Sequence, residues 1–262
     1  MLSDAQRQAA AEALFAAQRD GVPIPPISET YPEAGIEDAY RVSMAVTELK
    51  LKAGRRIKGH KIGLTSKAMR SLTGATEPDY GTMFDDWFVL EGSTIERAKL
   101  NRPLVEVELA FVLSEALTGP GVTVADVIRA TDFVLPAIEI VDSRYTKRGP
   151  TPLVDSISDA ASCGLVVLGG CPRRLTDVDV RRIGASLSIN GSVEESGVAS
   201  AVMGNPINAV AWLANKLAEY GVPFHAGHVA LSGSFIKAIP FGAGDTVTAT
   251  FDQLGEVGFT TV

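Results

Sequence analysis

Glu106 and Glu108 stand two residues apart inside Val105-Glu106-Val107-Glu108-Leu109-Ala110-Phe111-Val112-Leu113, an apolar, β-prone run. In a strand, side chains alternate faces, so the two carboxylates point one way and Val105, Val107 and Leu109 the other. Like charges side by side repel, and burying either one unpaired is costly. Water, a basic partner or a hard cation held by oxygen ligands must compensate. The pair alone leaves a wet strand face and a cation site level. Glu139 shifts the balance, because it sits in Phe133-Val134-Leu135-Pro136-Ala137-Ile138-Glu139-Ile140-Val141, a run that reads as a buried strand. Three carboxylates on two core strands, with no His or Cys cluster, suit Mg²⁺ or Mn²⁺ rather than zinc.

Other stretches carry weaker signals. Lys58-Gly59-His60-Lys61-Ile62-Gly63-Leu64-Thr65-Ser66 packs basic groups, glycines and hydroxyls closely. It could hold an anion, with Lys61 moving a proton or meeting a carboxylate, yet it lacks phosphate-loop spacing. Read alone, it is better taken as a strand with solvated lysines. Glu77-Pro78-Asp79-Tyr80-Gly81 is a turn by composition. Arg144, in Asp142-Ser143-Arg144-Tyr145, could hold an anionic substrate or form a local pair with Asp142. His225 and His228 have no third ligand nearby in the sequence and make no metal site. Neither a Gly-x-Ser-x-Gly elbow nor a dinucleotide Gly-x-Gly-x-x-Gly is present.

The elements that must position these groups fall into two parts. Residues 1–60 are expected to be helical: a capping box at Ser3–Gln6 opens a helix that ends at Gly21, and a second helix runs from Ile36 to Ala53. Residues 61–262 are expected to form one β-rich body. Strand signals lie near 56–63, 104–113, 131–142, 163–168, 185–190, 192–197, 228–232, 245–251 and 256–262, with Asn190-Gly191 as a hairpin turn. Helical stretches near 123–131, 177–183 and 206–220 interrupt them, giving an α+β chain. At 262 residues and 46% hydrophobic, the chain can bury a sizeable core. A net charge of −7 argues against general nucleic-acid binding. The two cysteines, Cys163 and Cys171, read as free thiols. The start has no signal-type core, and no uninterrupted apolar run reaches the roughly 20 residues of a membrane span. A cytoplasmic protein is expected.

Several stretches resemble the 2-keto-4-pentenoate hydratase/4-oxalocrotonate decarboxylase family of the fumarylacetoacetate-hydrolase-like superfamily. They are Gly-His-Lys-Ile-Gly-Leu-Thr-Ser at 59–66, Glu-Pro-Asp-Tyr-Gly at 77–81, the 105–113 run, Pro-Ala-Ile-Glu-Ile-Val-Asp-Ser-Arg-Tyr at 136–145, Ile-Ser-Asp at 157–159 and Val-Ala-Trp-Leu-Ala-Asn-Lys-Leu at 210–217. The likeness is colinear over nearly the whole chain. It implies a body of mixed β-sheets and a Mg²⁺ or Mn²⁺ ion on Glu106, Glu108 and Glu139. It implies water addition to an unsaturated 2-oxo acid, of the 2-hydroxy-2,4-dienoate or 2-oxohept-4-ene-1,7-dioate type, in aromatic meta-cleavage catabolism. Lys61 and Asp79 are then the candidate acid/base pair, with Arg144 and Ser234 as candidate substrate contacts.

The 59–69 wording and Asp85-Asp86 favour the hydratase branch, whereas Asp142–Tyr145 is more like the decarboxylase branch. The alternative is a 4-oxalocrotonate-type decarboxylase using the same metal-stabilised enolate. A second alternative is an inactive partner subunit. The resemblance also implies a homo-oligomer, pentameric or decameric, and association with a related pathway enzyme. Two departures stand out: Ala160 replaces a usual Asn after Ser-Asp, and Gly255-Glu256 replaces a usual Gly-Ser. Leu231-Ser232-Gly233-Ser234-Phe235-Ile236 stands where the superfamily's C–C hydrolases carry a Thr-Gly-Thr-Pro-type segment, which disfavours an acylpyruvate hydrolase.

Overall fold

The computed structural model describes residues 1–147 and 151–262. Its helices are α1 (Asp4–Asp20), α2 (Ile27–Thr30), α3 (Ile36–Lys52), α4 (Lys67–Thr73), α5 (Val124–Ala130), α6 (Leu153–Ser158) and α7 (Pro206–Glu219). Its strands are β1 (Ile57–Gly63), β2 (Asp79–Phe84), β3 (Phe88–Val89), β4 (Thr94–Ile95), β5 (Leu104–Leu113), β6 (Thr131–Val141), β7 (Cys163–Leu168), β8 (Gly184–Ile189), β9 (Ser192–Val198), β10 (Val229–Leu231), β11 (Ile239–Pro240), β12 (Thr246–Phe251) and β13 (Gly255–Thr261).

The capping box forms as expected: Gln6 N donates to Ser3 Oγ at 3.3 Å, and Ser3 N donates to Gln6 Oε1 at 2.9 Å. Gly21, at φ 67°, closes α1. The buried Asp38 carboxylate staples α3 to the N-terminus by accepting from Leu2 N (3.1 Å) and Arg7 Nη2 (2.7 Å). Ala11, Leu14, Val42 and Val46 close the α1/α3 seam around Tyr145, whose hydroxyl donates to Asp155 O at 3.1 Å.

The larger sheet runs β2-β1-β10-β5-β6-β7-β3, with β11 also on β5; the smaller runs β4-β13-β12-β8-β9. One face of β5, carrying Val105, Val107, Leu109 and Phe111, packs with α7 (Val210, Leu213, Leu217) and the small sheet (Leu187, Val247, Phe259) in the main core. Both faces of β5 are covered, which explains its near-continuous apolar reading. The expected hairpin forms, with Asn190 at φ 52° and Gly191 at φ 79° between paired Ile189 and Ser192.

Two expectations change. The 77–81 stretch is not only a turn, because Asp79 opens the fully buried β2, antiparallel to β1. The 177–183 stretch holds a single 3₁₀ turn, Val180–Arg182. The short elements α2, α4, α6, β3, β4 and β11 are too brief to show a period in the sequence. No described helix is long and apolar enough to cross a membrane.

Candidate active site

In the β5/β6 pairing, Glu106 lies directly opposite Glu139 and Glu108 directly opposite Ala137. Glu106 and Glu108 therefore share a face with Glu139. One carboxylate oxygen from each of the three lies within 4.8 Å of the others. Glu108 and Glu139 are fully buried, and Glu106 keeps partial exposure. Glu108 Oε2 accepts from Gly233 N at 2.7 Å, while Glu108 Oε1 has no hydrogen-bond partner among the described residues. Both oxygens of Glu139 also lack one.

Lys61 reaches the same face from β1. It pairs with Leu231 of β10, which in turn pairs with Ala110 of β5, so all three alternate in step with Glu108. Its Nζ stands 3.1 Å from Glu139 Oε1, out of hydrogen-bond alignment. Asp79, opposite Gly63, lies at the far edge of this face. A Cβ on Gly63 would overlap Asp79 Oδ1, so the missing side chain makes room for the carboxyl. Ser156 Oγ donates to Asp79 Oδ2 at 3.4 Å, and Asp79 Oδ1 has no partner among the described residues.

The electrostatics follow from this crowding. Burial pushes Glu106 up to about 7, with Lys61 pulling it down and Glu139 pushing it further up. Glu108 is raised well above the usual carboxylate range, first by burial and then by Glu139 and Glu106. Asp79 is raised by burial against the pull of Lys61. For Lys61, burial works against the ammonium, yet Glu139 and Glu106 outweigh it and leave the lysine above its ordinary value. One ammonium cannot neutralise three acids. Their orphaned oxygens and all-carboxylate donor set fit a hard divalent cation.

The structure thus brings Glu106, Glu108, Glu139, Lys61 and Asp79 together. It does not bring Arg144 to the acids. Arg144 lines a cavity of about 390 Å³ with Gln18, Trp87, Asn101 and Gly164, and none of the three acids borders it. Arg144 Nη1 donates to Asp142 O at 2.8 Å, and the guanidinium lies over Trp87, 5.2 Å from the ring centroid. Ser234 Oγ is engaged with Ile236 O at 3.0 Å, next to the Gly233 that holds Glu108.

Sequence reasoning missed three contributors. One is Gly233, at φ 101°, where a Cβ would overlap the Thr65 side chain. Another is Ser156, which reaches Asp79 from α6. The third is a buried left-handed turn at Ala160, Ala161 and Ser162, with φ of 50°, 51° and 58°. Each of its residues costs about 1–2 kcal/mol relative to the right-handed form. A Gly in the 232–235 turn was a visible signal; nothing in Asp-Ala-Ala-Ser announces a left-handed backbone.

Comparisons with known proteins give the family and the fold. The family model described as fumarylacetoacetate (FAA) hydrolase C-terminal matches residues 60–262. The chain is 46% identical over 253 residues to 2-oxo-hept-4-ene-1,7-dioate hydratase of Escherichia coli, covering 94% of each chain. It is 43% identical to the TodF product hydratase of Pseudomonas putida F1, covering 95% of this chain and 92% of that one. The solved 4-oxalocrotonate decarboxylase from Pseudomonas putida G7, complexed with magnesium and adipate, superposes with a TM-score of 0.96 at 35% identity. That match covers 100% of this chain and 99% of that one.

Proposed function

Since the chain belongs to the fumarylacetoacetate hydrolase family, we propose that it is a metal-dependent hydratase adding water to an unsaturated 2-oxo acid of aromatic meta-cleavage catabolism. The observation that carries this reading is the Glu106–Glu108–Glu139 cluster facing Lys61 on one buried sheet face. The substrate is a 2-hydroxy-2,4-dienoate, mono- or dicarboxylic. Glu106, Glu108 and Glu139 would hold Mg²⁺ or Mn²⁺. When bound, the cation supplies Lewis acidity toward the 2-oxo acid oxygens.

The chain's own residues do the rest. Lys61 Nζ, kept charged by its acidic neighbours, orients the substrate carboxylate; as the dienol becomes the conjugated ketone it gives a proton to the terminal carbon of the diene and takes up the enol hydroxyl proton, ending charged again. Asp79 is raised by burial and its Oδ1 has no partner among the described residues, so it takes the proton that water loses as its oxygen adds at the distal carbon and passes it to the carbon beside the oxo group. We also propose that residues 1–60 and 61–262 act as one integrated unit, supported by Tyr145 packing into the α1/α3 seam. A cytoplasmic, homo-oligomeric enzyme completes the reading.

The test is direct. The purified protein with Mg²⁺ is expected to consume the ultraviolet absorbance of 2-hydroxypenta-2,4-dienoate or its 1,7-dioate relative, releasing no CO₂, and to stop on adding EDTA. The magnesium-bound decarboxylase of the same fold favours one second reading, loss of CO₂ from 2-oxohex-3-enedioate on the same face. Stoichiometric CO₂ from that substrate, with no hydration of the dienoates, would replace the first reading by the second.

A further inference from the structure

The segment from Ser156 to Cys163 crosses the acid-bearing face of the large sheet. Ser156 touches Asp79. A Cβ on Gly81, the register partner of Lys61, would overlap the Ala160 carbonyl, so the segment lies tight on β2 at that point. Cys163 then enters β7 opposite Val141, two residues beyond Glu139. One stretch of chain therefore backs the strands of Asp79, Lys61 and Glu139.

The middle of that stretch is the left-handed turn, with three successive non-glycine residues at positive φ. Such a conformation persists only where its surroundings over-determine it. Here Asp142-Ser143-Arg144 clasps the turn at both ends. Asp142 N donates to Ser162 O at 2.8 Å. Arg144 N donates to Asp159 Oδ2 at 2.9 Å, and Arg144 Nη1 stands 3.5 Å from Asp159 Oδ1. Asp159 is fully buried and takes one more donor, Gln18 Nε2 of α1, at 3.0 Å. The Arg144 side chain is itself only 12% exposed.

We propose that Arg144 is a positioning residue: through the buried Asp159 carboxylate it latches the 160–162 turn onto the sheet and so fixes where Lys61 and Asp79 stand, instead of holding substrate. This rests on the hydratase reading for its consequence in catalysis, but not for the latch itself. A clamp on a distal carboxylate would matter only for dicarboxylic substrates. A latch matters equally for all, and its loss is repaired by removing the strain it holds.

The experiment compares wild type, Arg144→Lys, Arg144→Ala, Ala161→Gly and the double variant Arg144→Ala/Ala161→Gly, on mono- and dicarboxylic 2-hydroxy-2,4-dienoates with Mg²⁺. Misplacing reacting groups by about 1 Å costs on the order of 100-fold. Arg144→Ala is thus expected to lower kcat about 10- to 100-fold on both substrates, with KM within about 2-fold. Ala161→Gly alone leaves the native turn in place, and in the double variant it recovers a several-fold share of the lost kcat. Arg144→Lys keeps part of the activity and, if Arg144→Ala does not fold, replaces it in the cycle. Hydrogen exchange supplies a readout free of substrate: peptides spanning 159–163 exchange faster in the Arg144 variants and slow again when Ala161→Gly is added. A KM rise confined to the dicarboxylate, a double variant no better than the single one, or unchanged exchange would overturn the latch. A wild type inert on every dienoate, with the exchange pattern intact, would instead defeat the hydratase reading alone.

Discussion

Glu108 is held by a backbone donor and has one oxygen without a partner among the described residues, the arrangement expected of a group oriented for a cation rather than for water. Supporting groups around metal ligands are commonly worth about 10- to 100-fold in affinity, so Glu108→Gln is expected to weaken Mg²⁺ binding by at least that much. Isothermal calorimetry reads the affinity, and unchanged binding would remove Glu108 from the site. Protonation competes with the metal at the same oxygens. Burial raises Glu106 to about 7 in the folded protein, above the 4.5 of an ordinary glutamate. Between those values the folded state binds more protons than the unfolded one, so this group makes the metal-free protein less stable as pH rises. Mg²⁺ binds the ionised form and offsets that loss. The rise in Tm on adding Mg²⁺ should therefore grow from pH 5.5 to pH 8; a shift equal at both ends would mean Glu106 is not part of the cation's ligand set. The acids themselves were legible from their types and spacing. Cys163, buried and raised by burial and by Glu139, was legible only as a core thiol.

At the scale of elements, the site depends on register. β5 and β6 showed themselves as long apolar runs interrupted by carboxylates, and strand alternation already placed Glu106 and Glu108 together. The direct pairing of Glu106 with Glu139 came from the β5/β6 register, which no local pattern specifies. β2 was hidden, because Asp79 and Gly81 are turn residues by composition and become strand residues only beside β1. Gly233 shows how a loop serves a strand. Its φ of 101° and the close Thr65 side chain exclude a Cβ, and its N–H holds Glu108. Gly233→Ala is expected to cost about 2 kcal/mol or more, from backbone strain plus overlap. Gly244→Ala, at φ 83° in open space, carries only the backbone part, about 1 kcal/mol. Urea melts of the two variants measure the difference, and equal losses would leave the Thr65 contact without consequence.

At the scale of the molecule, two packed sheets and α7 bury one side of β5, leaving its other side to carry charge. A solution mass five or ten times the 27.6 kDa of one chain is the outcome the proposed homo-oligomer predicts in light scattering, and a monomeric mass would remove the homo-oligomer from that proposal. The sequence by itself determined the long strands, the helical start, the three acids and the family, because periodicity, cap residues and colinear motifs are written locally. Tertiary structure alone decided that Lys61 and Asp79 join those acids, that Arg144 faces Asp159 instead, and that three ordinary residues adopt a left-handed turn. Such outcomes are set by which distant strands become neighbours and by how much strain their packing can hold, and neither property belongs to any short stretch of chain.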